Sequence, residues 1–152
     1  MAIVKDITWA QALRYSFFQI IGGITGALIS HLMFYDTIPK IFEFSTVSRS
    51  GGAYFSEVNG AFILVVCILS LVHQKSQRVS QVVGLLVSGM LLSTSSTMFA
   101  NPQVIIARIF TYSAAGIRPV DGLIFICMQI IGMVFAVIVW KYGIMKCSCA
   151  VR

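Results

Sequence analysis

Residues 93–108 read STSSTMFANPQVIIAR, a polar but uncharged stretch that leads through Asn101 and Pro102 into an apolar segment. Asn is favoured just before a helix, and Pro is favoured at the first helical position because its missing N–H would have no partner there. The pair therefore predicts a helix over about residues 102–112, which is too short to cross a bilayer. We expect a re-entrant half-helix that starts inside the membrane, with the Ser/Thr stretch buried in protein or lining a wet cavity. An ordinary surface loop capped by Asn-Pro is the alternative.

Long apolar runs lie on both sides of this segment. Of the 152 residues, 58% are hydrophobic and only 11% are charged, whereas about a quarter of a soluble domain is charged. This composition excludes an ordinary soluble domain. Runs long enough to span a bilayer are predicted at about residues 9–34, 54–73, 79–95 and 120–142. The sequence thus predicts an all-α polytopic membrane protein, one transmembrane domain over residues 1–152 with four transmembrane helices and one re-entrant half-helix.

The basic residues give the expected topology. The formal net charge is +6, from 11 Lys and Arg against five Asp and Glu. Because most basic residues flank apolar runs, we interpret them as topology signals rather than as a nucleic-acid footprint, and expect no nucleic-acid partner. One side carries Lys5, Lys75, Arg78, Lys141, Lys146 and Arg152, and the other carries Lys40, Arg49, Arg108 and Arg118. The bias predicts a multi-pass protein of the inner (plasma) membrane, with both termini cytoplasmic and the lipid bilayer as its surroundings.

Glu57 stands near the start of the second apolar run. An ionised carboxylate inside a span costs about 2.5–3.5 kcal/mol, so it needs partners or water. It could accept hydrogen bonds from loop N–H groups and brace the loop, or it could be a proton-coupled site for a cationic substrate. A hydrated position close to the membrane interface is the third interpretation.

No pattern points to an enzyme, a cofactor or a metal. The chain has no Gly-rich phosphate loop, nucleophile elbow or acid pair. We expect His31 and His73, at the ends of spans, to be interfacial side chains rather than ligands. Cys147 and Cys149, beside the last span, are candidates for acylation, although a plain polar tail is expected.

A short internal repeat links the first and last spans. Phe18–Gly22 reads FQIIG and Met128–Gly132 reads MQIIG. In each copy the Gln stands one turn before small residues, which allow helix backbones to approach closely. Related halves are common in transporters and channels, where their interface forms the pathway. Chance similarity in an Ile- and Gly-rich chain is the alternative.

The stretch Thr94–Arg108, continued by Ala115–Pro119 and by the span around Gln129, resembles the aquaporin and glycerol-facilitator family of bacterial type. Upstream, Glu57 matches the family's buried glutamate that supports the pore loop, and Tyr15–Phe34 resembles its third span. The resemblance implies a passive channel in which two half-helices, each starting Asn-Pro-Ala, meet at mid-membrane and pass water or small uncharged solutes. It also implies that family-like tetramers are the homo-oligomer to expect.

The chain departs from that family's pattern in three ways. It contains only the second half-helix and begins at what resembles the third span, so we expect the first third of the usual fold to be missing. Gln103 stands where the family has Ala, and Val104 stands where many members have the arginine of the outer filter. The resemblance implies that the solute-contacting residues are Asn101, Pro102, Gln103, Val104, Leu91 and Met98, and that Glu57 braces the loop.

Three functional hypotheses follow. The leading one is an aquaporin-type passive channel for water or small uncharged solutes such as glycerol, which either needs a complementing N-terminal half or is inactive. The second is a four-span proton-coupled exporter of small molecules with Glu57 as the titrating group. The third is a noncatalytic membrane subunit that co-purifies with a partner and supports no flux.

Overall fold

Helices form every regular element in the part of the chain that the structure describes, residues 8–37, 40 and 43–145 of a computed structural model. They are α1 (Trp9–Met33), α2 (Gly51–His73), α3 (Val79–Ser93), α4 (Pro102–Ile109) and α5 (Pro119–Val139). A π-helical segment, Trp140–Ile144, continues α5. Strands are absent from these described residues, and the predicted all-α class is confirmed.

Three helices have the length and apolarity of membrane spans, namely Trp9–Met33, Gly51–His73 and Pro119–Ile144. The remaining predicted span, α3, has only 15 residues, about 22 Å against a hydrocarbon core of about 30 Å. It ends at Ser93 rather than near residue 95, because Thr94 adopts an extended backbone and its hydroxyl donates back to the Met90 carbonyl. Three long apolar helices and one shorter one therefore stand where the sequence predicts four full spans.

Two helix starts show how local bonding sets the boundaries. α1 begins after Thr8, whose hydroxyl accepts the N–H of Gln11 at 3.2 Å while the Gln11 side chain accepts the N–H of Thr8 at 2.9 Å. This reciprocal pair satisfies N–H groups that no helical carbonyl reaches. α2 begins at Gly51 rather than near residue 54. The Ser50 carbonyl accepts the Ala53 N–H at 2.9 Å, so Gly51 and Gly52 belong to the first helical turn.

The described residues divide into two compact units, the first within Met1–Ser48 and Gln103–Gly122 and the second within Arg49–Pro102 and Leu123–Arg152. In the first unit, a Cβ built on Gly23 of α1 would lie 3.1 Å from the Ala107 Cβ, so α1 approaches α4 through small residues. At the end of α1, the buried His31 accepts the Tyr112 N–H at 3.0 Å through Nε2. These contacts fix one side of α1 against the half-helix.

The end of α4 is set by two loops of the same unit. The Ser45 N–H donates to the Ile109 carbonyl at 2.8 Å, and the Ile117 N–H donates to the Arg108 carbonyl at 3.3 Å. Because loop N–H groups occupy these carbonyls, no further helical turn forms. The helix therefore stops at Ile109 rather than near residue 112 as predicted.

An exposed ion pair lies in the same loop region. Lys40 Nζ is 3.4 Å from Glu43 Oε2 and 4.6 Å from the centroid of the Tyr112 ring. The hydrogen bond to Glu43 raises the pKa of Lys40, so this ammonium remains charged at neutral pH. Because both charged side chains are exposed, the pair contributes little to stability.

Gly116 offers a test of the packing in this unit. A Cβ at Gly116 would collide with the Thr111 carbonyl and the Ser45 side chain. We expect Gly116→Ala to lower the free energy of unfolding by about 1–2 kcal/mol, the cost of overpacking a site where one neighbour can rotate away. Thermal unfolding followed by circular dichroism in detergent measures the effect. Gly84→Ala, at a glycine whose Cβ would meet open space, should leave the free energy of unfolding unchanged or raise it. Equal stability of the two variants would show that Gly116 is not packed against Thr111 and Ser45.

In the second unit α2 packs against α3, and one side of α5 also contacts α2. One side of α5 is buried at Phe125, Gln129, Gly132, Ala136 and Trp140, which we call the buried face of α5. The Phe125 ring lies edge-on to Tyr54 at 5.8 Å and to Phe99 at 5.2 Å. At the other end of this face, Trp140 lies edge-on to His73 at 5.7 Å.

Candidate functional site

Glu57 of α2 is fully buried in the second unit, and all three of its hydrogen-bonding partners among the described residues are donors. Oε1 accepts the Phe99 N–H at 3.0 Å, and Oε2 accepts the Ala100 N–H at 3.0 Å and the Gln129 side-chain N–H at 2.6 Å. A carboxylate surrounded by donors needs no proton of its own to complete its bonding. The three hydrogen bonds therefore satisfy both carboxylate oxygens and join the loop to α2 and α5.

The loop that Glu57 contacts has an unusual backbone. Thr97, Met98 and Ala100 have φ angles of 59°, 42° and 45°. Residues other than Gly and Asn pay roughly 1–2 kcal/mol for this left-handed conformation, and a β-branched Thr is a clear outlier there. Such strain persists only where surrounding contacts determine the conformation.

Hydroxyl groups of the Ser/Thr stretch supply many of those contacts. The Ser95 hydroxyl donates to the Gly52 carbonyl at 3.2 Å, and the fully buried Ser96 hydroxyl donates to Ser56 Oγ at 3.2 Å. The Met98 N–H donates to Thr94 Oγ1 at 3.0 Å and to Ser96 Oγ at 3.2 Å. The polar stretch is thus bonded into protein, in agreement with one of the two environments predicted for it.

The strained loop ends at the start of α4. Asn101 is half-buried and Pro102 is the first residue of the helix. The N–H groups of a first helical turn lack helical partners and carry a partial positive charge, so this start attracts oxygen atoms and repels cations. The next residue, Gln103, donates from Nε2 to Ser16 Oγ of α1 at 3.3 Å, and Val104 is half-buried.

The remaining predicted solute contacts lie elsewhere on α3 and the loop. Met98 is buried, and its sulfur lies so close to Gly60 that a Cβ there would be only 2.6 Å away. Leu91 is exposed on α3. The structure thus brings Glu57 against the loop directly before Asn101, while the Met98 side chain is packed against α2.

The sequence model for major intrinsic proteins matches residues 1–100. The chain belongs to the major intrinsic protein family. It is 35% identical over 142 residues to the aquaglyceroporin AqpS of Rhizobium meliloti (strain 1021), an alignment that covers 93% of this chain and 60% of that protein. The chain therefore spans about 60% of the length of the curated relative that it matches. No solved structure matches it significantly.

Membership of the major intrinsic protein family confirms the resemblance deduced from the residues around Asn101 and Pro102, and it confirms the prediction of a membrane protein that is not an enzyme. Within the described ranges, no three His, Cys, Asp or Glu side chains lie together as metal ligands would. Cys147 and Cys149, candidates for acylation in a tail expected to be plainly polar, lie outside the described residues, as do Lys5, Lys146 and Arg152.

Sequence reasoning missed three buried polar residues of this family member. Gln129 donates to Glu57, His31 accepts from the Tyr112 backbone, and Asp121 forms a two-point ion pair with Arg118 at 3.0 and 3.2 Å. The internal repeat was the signal that pointed to Gln129, because a Gln repeated beside small residues in two spans indicates a helix contact. His31 was expected to be an interfacial side chain, but it is buried. The sequence gives no local signal for this, because the loop that it contacts lies about 80 residues away along the chain.

Proposed function

We propose that this member of the major intrinsic protein family is a passive channel component for water or small uncharged solutes such as glycerol. The observation that carries the proposal is the strained loop, bonded to the buried Glu57, that leads through Asn101 into the half-helix α4. A rigid start of a short helix presents fixed donors to a solute without reorganisation. The relative named aquaglyceroporin supports a solute of this class.

The chemistry of the site fits uncharged solutes. The Asn101 amide can both donate and accept, so it suits a hydroxyl group or a water molecule. The positive end of α4 disfavours cations, including protonated water chains. Val104 supplies an apolar side chain where many relatives have the arginine of the outer filter, which favours solutes that carry CH groups as well as hydroxyls.

We also propose the partners of this chain and its topology in the membrane. The functional channel contains a complementing N-terminal half that supplies the first half-helix, and the assembly is a tetramer as in related channels. It resides in the inner (plasma) membrane with both termini cytoplasmic. Gln103 stands where the family has Ala, and its side-chain amide donates to Ser16 of α1. This hydrogen bond supports a role for the bulkier side chain in holding α4 against α1.

Reconstitution tests this function. Proteoliposomes that hold the chain together with the N-terminal portion of the Rhizobium meliloti relative should swell faster in a glycerol gradient than empty vesicles. Asn101→Asp should lower this flux about tenfold, equivalent to one hydrogen bond of about 1.4 kcal/mol, because a carboxylate cannot donate to the solute. Gln77→Glu, which makes the same change from amide to carboxylate at an exposed residue of the turn between α2 and α3, is the matched control and should keep the flux. Swelling equal to that of empty vesicles would contradict the proposal.

A further inference from the structure

His31 is a buried histidine near the end of α1, and it bonds to the backbone of the loop after α4. Its Nε2 atom accepts the Tyr112 N–H at 3.0 Å, and only 3% of the residue is exposed. A ring nitrogen that accepts a hydrogen bond carries no proton, so the hydrogen of the imidazole stands on Nδ1 in this contact. The bond to Tyr112 therefore requires an uncharged imidazole in this one tautomer.

This bond is one of three contacts that α1 makes with α4 and the loop after it. The Gln103 side chain donates to Ser16 Oγ at 3.3 Å. A Cβ built on Gly23 would lie 3.1 Å from the Ala107 Cβ. Ser16, Gly23 and His31 are seven and eight residues apart, about two helical turns each, so they lie along one side of α1. Of the three contacts, only that of His31 reaches the chain beyond the end of α4.

The Tyr112 N–H depends on His31 because the end of α4 leaves it without a helical acceptor. In a continued helix this N–H would donate to the Arg108 carbonyl. That carbonyl instead accepts the N–H groups of Thr111 and Ile117, each at 3.3 Å. A backbone N–H that loses its partner away from water is costly. Loss of the His31 acceptor therefore favours movement of the loop that ends α4.

Proton uptake by His31 is incompatible with the bond to Tyr112. The second proton of an imidazolium stands on Nε2, so two donors would face each other across the 3.0 Å contact. The Nδ1 atom is buried as well and has no hydrogen-bonding partner among the described residues. Because the charged ring finds no acceptor at either nitrogen, the ring must rotate or the loop must move away from α1.

Histidine is the only side-chain type whose unperturbed charge change falls between pH 5 and 8. The chain has two histidines, His31 and His73. The charged and titratable groups of the segments around His31 are Asp36, Lys40, Glu43, Arg108 and Tyr112. Lys40 pairs with Glu43 at 3.4 Å, and the bond from His31 to Tyr112 goes to the backbone rather than to the phenol. A response in this pH range that depends on the loop after α4 is therefore assigned to His31.

We propose that His31 is a positioning residue of the channel, which holds the loop after α4 only in its uncharged form, so that acid lowers solute flux. The inference rests on the proposed function, because α4 is the half-helix of the proposed pathway. Proton uptake releases Tyr112, while the contacts of α4 with Ser16 and Gly23 remain. Acid thus shifts the population from a half-helix held at both ends to one that is loosened after its last turn.

Two variants of His31 test the proposal in the proteoliposomes that hold the complementing portion. The natural chain should lose flux roughly three- to tenfold between about pH 7.5 and about pH 5.5, the factor for one hydrogen bond. His31→Gln offers an amide oxygen that accepts the Tyr112 N–H at either pH, so its flux should stay close to the neutral value. His31→Leu offers no acceptor and should show the low flux at both pH values.

The matched control is His73→Gln. His73 is exposed at the end of α2 and lies edge-on to Trp140, so this variant makes the same change of side chain away from α4. It should keep the acid response of the natural chain. A response that vanishes in His73→Gln and persists in His31→Gln would overturn the proposal.

Hydrogen exchange at the Tyr112 N–H tests the same contact without flux, on the intact chain alone in lipid vesicles. Comparison of the natural chain with His31→Gln at one pH cancels the intrinsic pH dependence of exchange. Protection of Tyr112 should be similar in the two proteins at about pH 7.5 and roughly three- to tenfold lower in the natural chain at about pH 5.5. Equal protection at both pH values would overturn the proposal. Absence of flux from every sample would contradict the proposed channel function, and the exchange result would still decide the role of His31.

Discussion

Replacing Glu57 by Gln is expected to lower the free energy of unfolding by about 1–3 kcal/mol and to abolish solute flux. The natural carboxylate accepts from Phe99, Ala100 and Gln129 within a fully buried site. An amide of the same size has one acceptor oxygen, so its NH₂ group must face a donor and at least one N–H loses its partner. Because whole proteins are stable by only about 5–15 kcal/mol, this single change removes a large fraction of the total.

The effect can be measured through the buried face of α5. In a Trp9→Phe background Trp140 is the only tryptophan, and its emission reports denaturant unfolding of the unit that contains Glu57. Glu43→Gln is the matched control, because Glu43 is exposed and bonded to the exposed Lys40; it should change stability by less than about 1 kcal/mol.

The Glu57→Gln variant also distinguishes the hypothesis of a passive channel from that of a proton-coupled exporter. If Glu57 braces the loop, Glu57→Gln disturbs folding and flux together. If Glu57 is a titrating site, the variant should fold normally and lose only proton-coupled cation efflux. The geometry favours the brace, because Glu57 is fully buried and two loop N–H groups already donate to its carboxylate oxygens.

Local signals were sufficient to predict the helices and the start of α4. Composition and run length identify the apolar helices, and Asn101 with Pro102 marks a helix start through backbone chemistry that acts over a few residues. The length of α3 was overestimated because apolar periodicity does not reveal where Thr94 adopts an extended backbone. The end of α4 was misplaced since it depends on Ser45, which is distant in sequence.

The candidate site was predictable only in part. Glu57 was recognisable as an acceptor because a carboxylate in an apolar run needs donors. Its actual donors lie more than 40 residues away at Phe99 and Ala100 and more than 70 away at Gln129. Nothing local specifies such pairings, because they depend on how the loop and α5 pack against α2. The left-handed backbone conformation of Thr97 could not be predicted from the sequence either, because a β-branched residue such as Thr disfavours it.

Gly132 of α5 makes a close contact with α2. A Cβ there would collide with the Val58 backbone carbonyl and approach the Ala61 Cβ to 3.2 Å. A backbone carbonyl inside a helix cannot rotate away as a side chain can, so the two helices must separate. Gly132→Ala should therefore cost up to about 3 kcal/mol in the free energy of unfolding.

Separation of α5 from α2 should also disturb the hydrogen bonds of Glu57. Gly132 lies one turn beyond Gln129 on the buried face of α5, so moving the helices apart lengthens the bond from Gln129 to Glu57 and frees the loop before Asn101. Trp140 emission and flux in the complemented vesicles should both fall in Gly132→Ala. Gly89→Ala adds the same methyl group to an α3 glycine with open space around it and should stabilise by about 0.5–1 kcal/mol through helix propensity alone. A Gly132→Ala variant as stable as this control would show that α2 and α5 do not meet at Gly132, and the donor set of Glu57 would then need a different explanation.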